Sequence, residues 1–185
     1  MASETPLEAL SATASFTVDD VAEILRERGW LRADRDMAAD ASLRVWCGRA
    51  ADLLLPHAKD RNALAELLAL VFGYDAAAAL NEPGNQAVLA REGSRDVIRE
   101  LANRVLDGGD IDSDRFKEII DGIKAALPQR SRELLHPLRL ALAGRAGEGE
   151  LDRVILLLDS AAKIEFEMPV KGTRQRMLEF CTALD

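Results

Sequence analysis

Apolar residues recur at intervals of three and four in almost every segment that glycine and proline leave unbroken, and this periodicity admits helices and little else. Val21, Ile24 and Leu25 form one such stripe. Leu43, Trp46, Cys47, Ala50, Leu53 and Leu54 form a second, and Leu64, Leu67, Leu68 and Val71 a third. The pattern returns at Val97, Ile98, Leu101 and Val105, at Phe116, Ile119, Ile120 and Ile123, and at Leu151, Val154, Ile155 and Leu158. Aromatic residues make up only 4% of the chain, while Ala, Leu and Arg recur throughout. Those three lose little on entering a helix, whereas strands favour β-branched and aromatic residues. The expected fold class is therefore an all-α helical bundle with short connections.

Caps and breakers set the expected elements. Residues 1–15 carry little periodicity and read as a flexible tail. Thr17 and Asp20 have the spacing of a capping box, and Gly29 stops the helix they open. A second helix is expected from Met37 to Leu55, closed by Pro56, and a third from Asp60 to Phe72, ended by Gly73-Tyr74. An Ala-rich helix over 75–80 precedes a turn at Pro83-Gly84, and Gln86–Ala90 forms a short helical piece. Ser94 caps the following helix, and Asp112 or Ser113 caps the one that Pro128 stops. His136-Pro137 marks the start of a short apolar helix that ends at Gly144. Residues 150–158 are helical, 159–169 form a loop in which Lys163–Met168 alternates like a strand, and a last helix runs over 173–183, burying Met177, Leu178 and Cys181. The break at Gly108-Gly109 divides a helical unit over 16–107 from a smaller one over 110–185.

Charge narrows the function. The 185 residues carry a net −8, all of it in residues 1–126, whereas residues 127–185 hold nine basic and nine acidic residues. A nucleic-acid site must then be a local arginine cluster working against an unfavourable long-range field. Two distant cysteines, Cys47 and Cys181, make neither a disulfide framework nor a zinc site, and both read as buried thiols in a reducing, cytoplasmic setting. No apolar run approaches the length of a membrane span, and no secretion signal opens the chain.

Several constellations resolve into ordinary structure. Asp110, Asp112 and Asp114 copy the opening of a calcium loop, but Arg115 stands where the turn requires Gly and Asp121 where a Glu should close it. The acids serve better at a helix N-terminus. Gly144-Arg145-Ala146-Gly147-Glu148-Gly149 lacks a preceding strand and a phosphate-binding lysine, which leaves a helix-to-helix turn or an RNA-facing loop. Lys171-Gly172-Thr173 reads as a helix start. His57 and His136 have no adjacent nucleophile, so no catalytic residue, metal site or cofactor is expected. The arginines Arg130, Arg132, Arg139, Arg145, Arg153, Arg174 and Arg176 form the best candidate polar surface. Trp46 belongs to an apolar stripe, whereas Trp30, just after Gly29, is open to either core or base stacking.

One stretch says more. His136-Pro137-Leu138-Arg139-Leu140-Ala141-Leu142-Ala143-Gly144-Arg145 resembles, in wording and order, a segment near the C-terminus of bacterial glutamyl-tRNA synthetases, inside their helical anticodon-binding region. Val21 to Leu31, Ala58 to Leu68 and Gly144 to Leu158 are similar to further helices and loops of that region, so that the resemblance covers about residues 16–160. It implies a detached anticodon-arm reader, because the nucleotide-binding domain and signature motifs of class I synthetases have no counterpart here. By resemblance, tRNA contacts fall to Arg139, to Arg145, Glu148, Gly149 and Leu151 of the following loop, and then to Arg132 and Arg61. Ala143 and Gly149 depart from the family's threonine and proline, and Glu148 adds a negative charge beside the contact loop.

The resulting expectation is a non-catalytic domain whose partner is a tRNA, that for glutamate being the one the resemblance suggests, and whose second partner is a synthetase catalytic subunit or other protein. The rival is a helical protein-interaction domain that keeps the scaffold and has lost the RNA surface, a reading that the acidic charge favours.

Overall fold

A computed structural model describes residues 15–128 and 131–185 of the chain. Except for Ser15, the tail expected over 1–15 lies outside the described residues. Ten α-helices follow in order: α1 (Val18–Glu27), α2 (Ala41–Leu54), α3 (Arg61–Phe72), α4 (Ala76–Asn81), α5 (Pro83–Leu89), α6 (Ser94–Leu106), α7 (Ser113–Ala126), α8 (Ser131–Ala143), α9 (Gly149–Ala161) and α10 (Thr173–Leu184). A single 3-10 turn, Leu55–His57, follows α2, and no strand occurs among the described residues. The all-α expectation holds, and Lys163–Met168 is irregular rather than extended.

Local chemistry fixes the ends. Thr17 and Asp20 complete the capping box at α1, and Gly29 takes a φ of 72° beyond its end. Carboxylates of Asp40, Asp60, Asp75 and Asp112 each accept a backbone N–H in the first turn of α2, α3, α4 and α7. Helix α2 therefore begins at Ala41, later than the expected Met37, because Asp40 satisfies the free amides there. Two further expectations are corrected. Pro83 opens α5 rather than a turn, which suits a residue with no amide hydrogen at the first helical position. Ser94 is not a cap: Gly93, with a φ of 79°, holds that position, and the Ser94 hydroxyl donates to the Val88 carbonyl.

The apolar stripes meet in two clusters. The first joins α1, α2 and α3 to Val154, Leu157, Leu158 and Ala161 of α9 and to Phe166 and Val170 of the connection beyond it. The second joins α4 through α8 and α10 to Leu151, Ile155 and Leu156 of α9. The break at Gly108-Gly109 falls between α6 and α7, both of which belong to this second cluster. Helix α9 is buried on all sides from Val154 to Leu158, as a helix shared by two cores must be.

Half of the chain's few aromatics gather in the first cluster. Trp30 stacks on Phe72 at 4.6 Å between ring centroids, and Phe166 meets both Phe72 and Trp46 edge-on at 5.0 and 5.4 Å. Trp30 is thus core and presents no face to a base, while Trp46 Nε1 donates to the Leu157 carbonyl at 3.1 Å. In α10 the buried residues are Thr173, Arg176, Met177 and Phe180; Leu178 is 49% exposed and Cys181 half-buried, against expectation.

Arg176, placed by sequence on a polar surface, is completely buried. Its guanidinium donates to the carbonyls of Leu70 (3.1 Å) and Val71 (2.5 Å) in the last turn of α3, Leu142 (2.9 Å) in the last turn of α8, and Lys171 (2.8 Å). It lies over the Tyr74 ring at 4.6 Å, and the Tyr74 hydroxyl donates to Ala141 at 2.6 Å. Burial lowers the guanidinium to about 10, so it stays charged at neutral pH. The positive group replaces amides that both helix ends lack, and it faces the negative pole of two helix dipoles. Replacing Arg176 with Met should take the donor from four carbonyls, at about 1–3 kcal/mol for each one left buried and unpaired, a loss of ~3 kcal/mol or more in urea unfolding. Arg176→Lys should recover only part of it, because a single ammonium cannot span the fork.

Candidate nucleic-acid interface

Helix α8 starts six residues before Pro137, which sits inside it rather than at its beginning. The helix ends at Gly144, whose φ of 83° turns the chain and whose α-carbon packs toward the Tyr74 ring. Residues 144–148 then cross to α9 as a short loop.

Arg139, the first expected RNA contact, is 5% exposed and committed within the protein. Its Nε and Nη2 form a two-pronged ion pair with Asp152 at 2.7 and 2.8 Å, and Nη1 donates to the Gly147 carbonyl at 2.7 Å. The guanidinium therefore fixes the loop against α9 and offers no free edge to a base. Leu151 is fully buried in the second cluster and is likewise no surface contact. Gly147 is needed for this fit, since a Cβ there would lie 2.7 Å from Leu151 Cδ1.

A second brace comes from α5. Asn85, buried to 5%, donates through Nδ2 to the carbonyls of Ala79 (2.9 Å) and Gly144 (3.4 Å), and its Oδ1 accepts the Ala146 amide at 3.1 Å. The loop is thus pinned on both sides of Arg145. That side chain is exposed, has no ion pair or side-chain hydrogen bond among the described residues, and borders a cleft of about 270 Å³ shared with Tyr74, Glu82 and Asn85.

The remaining expected residues separate. Arg132 is exposed and bonds Glu148 at 3.0 Å, while Glu148 also lies 3.9 Å from His136 Nε2 and 4.0 Å from Arg139. Gly149 begins α9 beside them. Arg61 belongs elsewhere: it is ringed by Glu23 (3.1 Å), Glu27 (2.9 Å) and Asp20 (4.0 Å) of α1, which neutralise it. Arg174 donates to the Leu106 carbonyl, Arg153 is exposed and unpaired, and Arg130 lies outside the described residues. Sequence reasoning missed Arg91, whose Nη1 meets His136 Nδ1 at 3.1 Å across 45 residues. It also missed Asn85 and Asp152; a buried amide 59 residues from its loop leaves no local signal.

With this geometry in view, the family comparison is informative: the family model for the anticodon binding domain matches residues 17–162. The chain belongs to the anticodon binding domain family. Its match spans α1 to α9 and includes Arg139, Arg145 and the loop between α8 and α9. No curated protein and no solved structure matches the chain. Among the described residues, no helix is long and apolar enough to cross a membrane, and no cluster of His, Cys, Asp and Glu is arranged to hold a metal ion.

An arginine can only donate, so His136 accepts at Nδ1 and carries its proton on Nε2, toward Glu148. Burial and the Arg91 guanidinium hold the imidazole below its ordinary 6.5, with Glu148 opposing. A folded value below the unfolded one means that the unfolded chain binds the proton more tightly. The neutral imidazole's stabilisation is therefore full above about 6.5 and is lost as pH falls through the folded value. Urea midpoints should drop between about pH 7 and pH 5 in the native chain, and His136→Gln should remove that part of the slope. The caps Asp20 and Asp40, held below 3.8 chiefly by backbone hydrogen bonds, contribute fully across this range and lose their contribution only at lower pH.

Proposed function

We propose that the chain binds the anticodon arm of a tRNA through the loop between α8 and α9, with Arg145 as the principal contact and Arg132 beside it. One observation carries the reading: in a member of the anticodon binding domain family, an unpaired, exposed arginine stands on a loop fixed from both sides. A preorganised guanidinium offers an unstacked base both forked donors and a planar face at little ordering cost. Arg139 acts through the loop rather than on the RNA. Likeness to the glutamyl-tRNA synthetase region, a tRNA for glutamate as ligand, and action beside a catalytic subunit supplied by another chain are the finer parts of the proposal. The role is binding, without chemistry of its own.

A second reading has its own support. Arg139 is occupied by Asp152, Glu148 partly neutralises Arg132, and the chain carries −8 overall. These features suit a protein-interaction domain that kept the scaffold. Titration with tRNA separates the two. Arg145→Ala should weaken binding roughly tenfold, within the ~1–3 kcal/mol of an arginine–base contact. Glu148→Gln should strengthen it, since an acid leaves and Arg132 is released. A native chain that binds no tRNA at low salt, yet purifies with a stoichiometric protein and no RNA, establishes the second reading instead.

A further inference from the structure

About half of the described surface arginines are paired with acids, and three of the others lie along one short helix. Arg28, Arg32, Arg35, Arg61, Arg99, Arg104, Arg115 and Arg132 each meet a carboxylate within hydrogen-bond distance. Arg91, Arg95 and Arg145 do not, and neither do Arg44, Arg49, Arg153 and Arg174 elsewhere on the surface. Arg91, Arg95 and Arg145 share the border of α5. Near the start of this seven-residue helix, Glu82 and Asn85 line the 270 Å³ cleft with Arg145. Toward its end, Gln86, Leu89 and Ala90 line an open cleft of about 530 Å³ with Arg91 and Arg95.

The second cleft is cationic even though the protein is acidic. Its one carboxylate, Asp96, bonds Arg99 at 3.1 Å, so the two lining guanidiniums outweigh it. Arg91 is positioned by a neutral imidazole rather than an acid, which leaves its charge uncompensated. On its far side Arg91 also borders a cleft with Glu92, Pro128 and Glu133, where acids limit how far a polyanion can extend.

We infer that Arg91 and Arg95 form a second RNA contact further along α5 from the loop, one that takes the phosphate backbone of the arm whose bases meet Arg145. This rests on the tRNA-binding reading above and extends it. The division of labour follows from chemistry. Arg145 sits on a braced loop suited to a base edge, whereas two arginines on an open, shallow cleft supply charge without a fixed donor pattern. An acidic polypeptide could meet the same charges, but it brings no unstacked base to the planar face of Arg145.

The test is a salt titration of tRNA binding by the full chain, comparing native, Arg145→Ala, Arg95→Glu and the double variant Arg91→Lys/Arg95→Lys. Arg95 has no side-chain partner among the described residues, so its reversal should leave the fold intact. Arg95→Glu should lower affinity at low salt and flatten the slope of log K against log salt by about 0.7, the value for one phosphate contact on a single strand. The lysine pair should retain the native slope, and neither change should alter the preference among tRNAs. Arg145→Ala should reduce that preference. Native binding that depends on Arg145 but has an unchanged slope in Arg95→Glu overturns the second contact and leaves the first reading standing. Absence of native binding overturns both.

Discussion

A single buried guanidinium holds the ends of two helices and the start of a third in register. Arg176 comes from the last helix, yet its donors satisfy carbonyls closing α3 and α8. Without it those carbonyls would face an apolar interior unpaired, and the turn that leads from α8 into the loop would lose its anchor. Tyr74 completes the arrangement by bonding Ala141 and by packing under both Arg176 and Gly144. Asp159 secures the same first turn of α10, accepting the Thr173 amide at 2.7 Å, and ties in the connection before α7 by accepting the Ile111 amide at the same distance. The position of the loop at 144–148 is thus a consequence of packing deep in the second cluster.

From that anchor the surface follows. Arg139 and Asn85 fix the loop from α8 and α5, and what they leave outside is Arg145. Two arginines in one stretch of sequence, six residues apart, consequently do opposite work: one is enclosed and bonded on three donors, the other is free. The acidic total weakens any polyanion complex through its long-range field, so contact must come from a few well-placed cations. Affinity should depend strongly on individual residues, with a salt slope set by those few contacts.

Helices were legible because their signals are local. The capping box at Thr17, the stop at Gly29 and the stripe from Leu43 to Leu54 each lie within one or two turns. Arg139 and Arg176 defeated the same reading because an arginine in sequence looks solvated, and only the distant carbonyls and Asp152 that surround them make burial favourable. Pro137 in sequence points to a helix start, yet α8 extends six residues on its N-terminal side; tertiary packing of Leu134 and Leu138 in the second cluster outweighs the missing amide. Leu178 shows the converse: its place on α10 turns it outward, whereas Arg176 and Phe180 face in. Of the site, the loop and Arg145 were visible through family likeness, while Arg91 and Asn85 entered only when chain segments far apart were brought together.

Amide hydrogen exchange of the full chain, with and without a saturating anticodon stem-loop, tests most directly whether this loop is where RNA is held. Slower exchange at the amides of residues 145–149 on adding the RNA is the expected result. Bound RNA that leaves those amides unchanged while protecting helices of the first cluster would contradict the account.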